Sequence, residues 1–142
     1  MEWGIGVDAS LQLSFAESRT LVTEAVALGY TSAWTPSGPP TRDGFQIAAQ
    51  WASATEAATG TPVHTGIAVI PAPVWTVSSL ANQAGTVSSL SGGRFILGLG
   101  TGTSYSSDFR NMLGLPELPT VAMMKDYLVV LRGLFAGEVV TH

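Results

Sequence analysis

The chain has 142 residues, 46% of them apolar and 11% charged, which excludes disorder and fits one ordinary globular domain over residues 1–142. Ten acidic residues against six Lys and Arg leave a net charge of -4, so no basic stripe can neutralise a phosphate backbone and nucleic acid is not expected as a partner. With no cysteine and two distant histidines, His64 and His142, the sequence offers no disulfide framework, thiolate zinc site, Cys nucleophile or multi-His metal cluster.

The N-terminus, Met1-Glu2-Trp3-Gly4, lacks the cationic head and apolar core of a secretory signal, which points to the cytoplasm. A first strand is expected over 3–8. Ser14 and Glu17 then stand at capping-box spacing, and Leu21, Ala25 and Leu28 share one helical face before Gly29. A second strand at 30–35 leads to Asp43 and Gln46, again at box spacing, with Ala48, Trp51, Ala52 and Thr55 on one face and Gly60 as the stop.

A third strand is expected over 62–70. The apolar stretch 63–75 contains Pro71 and Pro73 and falls short of the roughly 20 residues a bilayer demands, so no membrane span is expected. Pro73 suits the first turn of a third helix carrying Leu80, Ala84 and Val87 and ending at Gly92-Gly93, although Gly85 costs about 1 kcal/mol against Ala. A fourth strand at 94–99 precedes a polar, Gly/Ser/Thr-rich loop at 100–119. Thr120 then caps a fourth helix in which Val121, Met124, Leu128, Leu131 and Phe135 step by three and four up to Gly137.

Strand starts recur at the length of one strand–helix unit, so the fold class is α/β with parallel strands and right-handed crossovers. Two architectures satisfy that pattern: a small open doubly wound sheet, or a (β/α)8 TIM barrel truncated to about four βα units. A whole barrel takes about 250 residues, and four units would be half of one.

The segment Ala81, Gln83, Thr86, Leu90-Ser91-Gly92-Gly93-Arg94-Phe95, Leu97-Gly98, Gly100 resembles the central signature of the luciferase-like monooxygenase superfamily, whose members use FMN or the deazaflavin F420. Gly29-Tyr30 leading to Trp34 is similar to the family's second strand. Tyr127, Leu131-Arg132, Leu134 and Gly137-Glu138 are similar to the helix after its fourth. The resemblance covers essentially the whole chain. It implies the eight-stranded barrel, with this chain as its N-terminal half, βα units one to four. In the family the second half supplies much of the phosphate grip and part of the substrate pocket.

The signature's residues read physically as scaffold: the glycines release a helix into a strand, Arg94 holds a helix end or a carboxylate, and 95–97 is buried strand. Chemistry is expected instead at the strand C-termini, at Asp8, 35–38, 68–71 and 100–104. Alone, the glycine-rich run 98–104 reads as a tight turn. It misses the dinucleotide fingerprint, since Thr stands at 103 and no helix follows at once.

The resemblance turns that run toward cofactor contact at Thr101, Gly102 and Thr103. It likewise assigns Ile67 to Ile70, with Ile67 and Ala68 as cofactor contacts, to the end of strand three, where deazaflavin members rest the back of the ring, often beside a cis peptide. Trp34 faces either the pocket or the core, and Ser37 follows it as a further cofactor contact. Ser37-Gly38 stands where F420-dependent sugar dehydrogenases of the superfamily resemble Asp-His, and Thr103 where they carry an acid. Trp75 and Val77 replace a frequent Arg and Pro. The sugar-phosphate dehydrogenase activity is therefore not transferred, and catalytic residues stay unassigned. Asp8 reads as a turn former, His64 as structural at the far end of its strand, and Tyr105 and Asp108 as a solvated loop.

The expected function is an F420-dependent oxidoreductase moving hydride between the deazaflavin and a small-molecule substrate, with an FMN-dependent monooxygenase as the near alternative. A second class is a non-catalytic half-barrel that needs another copy, or a partner chain carrying strands five to eight, because its raw sheet edges and inward apolar side chains are costly to leave bare. A free-standing nucleotide-binding open sheet would require a helix directly after Gly102.

Overall fold

The computed structural model describes residues 1–37, 42–102, 106–117 and 119–141. Four strands, β1 (Gly4–Gly6), β2 (Ser32–Thr35), β3 (His64–Pro71) and β4 (Phe95–Gly100), lie side by side in chain order and all parallel. Between them run α1 (Phe15–Ala27), α2 (Gly44–Thr59) and α3 (Val77–Leu90), and after β4 come α4 (Ser107–Leu113) and α5 (Thr120–Phe135).

Alternation along the strands decides between the two architectures. Ile5 and Ala33 point into one core with Val22, Ile47 and Trp51, while Ile67, Ile70 and Leu97 point into another with Phe45, Ala48, Leu80 and Leu131. All these strand residues meet helices on the same side. Each helix packs on the next, α1 on α2, α2 on α3 and α3 on α5, so the helical layer covers one face and leaves the other open. A doubly wound sheet has helices on both faces and a reversal of strand order. Among the described residues there is neither, and the fold is a half-barrel of the TIM type.

Local chemistry explains most boundaries. Ser14 Oγ accepts from the Glu17 N–H at 3.2 Å and Glu17 Oε2 accepts from the Ser14 N–H at 2.7 Å, the reciprocal box expected at the head of α1. Asp43 Oδ1 accepts from the N–H groups of Phe45 and Gln46, and Gly60 closes α2 at φ 78°. Thr55 is fully buried; its hydroxyl donates back to the Trp51 carbonyl at 2.8 Å and accepts from Val63 N–H at 3.0 Å, tying α2 to the approach of β3.

Four expectations need correction. The third helix begins at Val77 under a Thr76 cap, because Pro73 is taken up in a separate 3₁₀ turn, Ala72–Val74. The stretch after β4 is not all loop: it contains α4, stopped by Gly114 at φ 65°. Pro119 rather than Thr120 occupies the cap of α5, with no side-chain bond. On α5 the buried side is Tyr127 and Leu131, while Val121 and Phe135 are 71% and 52% exposed, so the apolar stripe read from the sequence is wider than the core it meets. Among the described residues no helix is long and apolar enough to cross a membrane, and no cluster of metal-ligating side chains occurs.

Candidate cofactor site

The uncovered face is built by the alternate strand residues: Gly4, Gly6, Ser32, Trp34, His64, Gly66, Ile96, Gly98 and Gly100. A barrel interior is ordinarily filled by layers of branched side chains. Here five of those nine positions are glycine. A Cβ at Gly66 would lie 2.4 Å from Cε3 and Cζ3 of Trp34, and one at Gly4 3.1 Å from its Nε1. The indole therefore lies across β1, β2 and β3, with Nε1–H donating to Ser32 Oγ at 3.0 Å. Beside it, a Cβ at Gly6 would meet nothing within 4 Å, so that part of the face is open.

Toward the strand C-termini, the pairing of β3 with β4 slips between Ile67 and Ile70, and the bulge pushes Ala68 and Val69 out of the ladder. The Ala68–Val69 peptide is cis. Val69 is 43% exposed and covers the glycines opposite: a Cβ at Gly100 would come within 2.9 Å of its Cγ2 and one at Gly98 within 3.4 Å of its Cγ1. Gly98 is further confined because a Cβ there would lie 2.3 Å from the Ile67 carbonyl oxygen. Gly102, at φ 60°, closes over Pro71, whose Cβ would be 2.6 Å from a side chain at 102. The loop after β4 is thereby pressed onto the end of β3, and its backbone forms the rim.

The expected contact residues divide accordingly. Trp34 is on the open face; Ala68 is exposed at the rim, and Thr101 and Gly102 are half-buried there. Ile67 is fully buried among Phe45, Ala48 and Leu80, so its side chain serves the helix-side core and only its backbone reaches the face. Ser37 is buried too, and its Oγ accepts from the Gly44 N–H at 3.0 Å at the start of α2. Thr103 lies outside the described residues, as do Gly38 and Tyr105. Sequence reading missed Gly4 and Gly6, and within the stretch 67–70 it named Ile67 and Ala68 as contacts rather than Val69. The alternations Gly4-x-Gly6 and Gly98-x-Gly100 were the available signal, since period two puts both glycines of each pair on one face.

Ionisable groups near the rim are already engaged. Asp8 Oδ1 accepts from both the N–H and the hydroxyl of Ser10; these bonds, the hydroxyl's first, hold its carboxyl below the usual range. Asp43 caps α2. His64, at the start of β3, receives a hydrogen bond on Nε2 from Arg94 Nη1 at 3.3 Å; this places the Arg94 partner on an imidazole, not on the helix end or carboxylate expected. A separate cavity of about 190 Å³ lies in the helix layer, between Ala72, Pro73 and Trp75 and the start of α5 at Thr120, Met123 and Tyr127. Tyr127 Oη donates to the Trp75 carbonyl at 3.0 Å, and burial pushes this phenol up to about 12.

This architecture and the sequence agree on a class. The family model described as luciferase-like monooxygenase matches residues 2–142, and the chain belongs to that family. Among solved structures, the fold is similar to the oxygenating constituent of 3,6-diketocamphane monooxygenase from the CAM plasmid of Pseudomonas putida, solved in complex with FMN (TM-score 0.80, 18% identity, 100% of this chain and 41% of that one). It is similar also to monooxygenase RslO1 from Streptomyces bottropensis (0.78, 21%, 100% and 45%) and to the coenzyme F420-dependent tetrahydromethanopterin reductase from Methanopyrus kandleri (0.75, 17%, 93% and 39%). No curated protein matches the chain. The chain thus spans about two fifths of the length of the structures it resembles.

Proposed function

We propose that the chain is the N-terminal half-barrel of an F420-dependent oxidoreductase, holding one face of the deazaflavin against the rim of β3 and β4 and leaving the other to a small organic substrate. The observation that carries this reading is the open, glycine-paved face, bounded by Val69 at the rim and Trp34 deeper in. A flat ring needs an apolar wall and a few hydrogen bonds at its edge. Val69 with Gly98 and Gly100 supplies such a wall and excludes water from that side. The backbone at Thr101 and Gly102 can approach a ring edge closely, because Gly102 carries no Cβ. When bound, a deazaflavin supplies hydride transfer at its C5 carbon. Asp8 and Asp43 are committed to backbone amides, so this half positions the ring and excludes solvent while proton transfer and the phosphate grip fall to the other half of the barrel.

A second reading, an FMN-dependent monooxygenase, is favoured by the similarity to the FMN-bound diketocamphane enzyme over the whole of this chain. Titration with F420 and with FMN in turn, followed by ring absorbance, separates the two. F420 is expected to shift its spectrum on binding, and Val69→Lys to weaken that binding at least tenfold without unfolding the chain, because the residue is exposed. Binding of FMN alone would establish the second reading. Binding of neither by the chain in its associated form would leave a non-catalytic half-barrel.

A further inference from the structure

We propose that the cavity in the helix layer is a second small-molecule site, separate from the rim, and that it takes a single aromatic ring carrying a carboxylate, with Arg110 as the counter-charge.

The cavity has a volume of about 190 Å³, and none of the rim residues Val69, Gly98, Gly100 and Gly102 lines it. An apolar cavity of about 150 Å³ is already enough for benzene, so this one has room for a ring with a short substituent. One wall is fixed from behind. Trp75 meets Phe45 edge-on with 5.6 Å between ring centroids, and its carbonyl accepts the Tyr127 hydroxyl at 3.0 Å, so the phenol's polar tip is engaged. Leu115, after α4, and Met123 on α5 also line the space. An indole, a phenol ring and a thioether around one slot are surroundings in which an aromatic ring gains from edge and sulfur contacts beyond simple burial. Trp75 stands where the family resemblance has a frequent arginine, so this wall is a feature of this sequence.

Charge selects the substituent. Arg110 is the one charged side chain in the lining. Its side chain is 19% exposed, whereas that of Glu117, 3.9 Å away, is 89% exposed. A pair so long and so wet is weak, and Glu117 does not cancel the guanidinium's field inside the cavity. The start of α5 adds to that field: Thr120 borders the cavity from the first turn, Pro119 makes no side-chain cap, and the positive end of the helix dipole lies there. One cation answers one negative charge. A dianion such as phosphate would leave most of its oxygens against apolar walls, without donors. Neither the cavity nor its charge depends on which ring the rim holds.

Calorimetric titration of the intact chain with benzoate, in the absence of any cofactor, is expected to show one site with a Kd of about 0.1 mM. Benzamide has the same shape without the charge and should bind about tenfold more weakly. Arg110→Met keeps a long stem and removes the charge, so it should weaken benzoate about tenfold and leave benzamide unchanged, with circular dichroism checking the fold. Glu117→Gln removes the competing carboxylate and should tighten benzoate about twofold. The comparison of benzoate with benzamide on the unaltered chain tests the charge whatever the variants do. No saturable binding, equal affinity for the two probes, benzoate indifferent to Arg110→Met, no gain in Glu117→Gln, or displacement of benzoate by inorganic phosphate or FMN would overturn the proposal.

Discussion

Trp34 can lie across the open face only because Gly66 has no side chain, so Gly66→Ala must lift the indole or shift β3. Overpacking of this kind costs about 1–3 kcal/mol. Denaturant unfolding should show that loss, with Trp emission moving to the red, and Trp34→Leu in the same background should recover part of it. Thr65 is fully buried, and its Oγ1 has no hydrogen-bond partner. Thr65→Val replaces that orphan with a methyl group of similar shape and is expected to raise stability by about 1 kcal/mol in the same measurement. Tyr127 titrates near 12 when folded against 10.0 when unfolded. Below pH 10 the phenol is neutral in both states. Above it the unfolded chain loses the proton first, so stability falls as pH rises from 10 through 12, by about 3 kcal/mol in all less what solvent screens. Tyr127→Phe should flatten that decline and carry a constant penalty of about 1 kcal/mol for the unpaired Trp75 carbonyl.

Elements whose signals are local were legible in the sequence. Ser14 with Glu17, Asp43, and the glycines at 29, 60 and 137 fix helix ends through atoms a few residues apart, and these four strands were expected within a few residues of where they lie. Ser14→Ala should accordingly cost about 1 kcal/mol, read as a lower denaturation midpoint. What failed needed distant partners. α4 is seven residues in a Gly/Ser/Thr-rich run, and its cap residue Ser106 makes no side-chain bond, so nothing local announces it. On α5 the periodic spacing of Val121, Leu128 and Phe135 was real, but periodicity cannot separate a flank that meets the core from one that does not. The site shows the same division. That Ala68 and Val69 turn out after a buried Ile67 depends on the β3–β4 slip, a property of two paired strands and not of either alone, and Ser37 turns inward to take the Gly44 N–H seven residues on.

A half-barrel that gained its cover from a second molecule would have its stability tied to concentration. The helix-side cores give the chain a packed interior, but among the described residues the glycine-paved face and the outer edges of β1 and β4 have no cover. If closing the barrel is part of folding, mass action makes the folded state more stable as the chain becomes more concentrated, by about 1.4 kcal/mol for each tenfold. Spread over the unfolding entropy of two copies, that corresponds to about 2 °C in Tm per tenfold. Thermal scans over a hundredfold range of concentration should therefore rise by about 4 °C, a shift well outside the error of calorimetry. A Tm independent of concentration would mean that the four-strand unit is stable with its face uncovered.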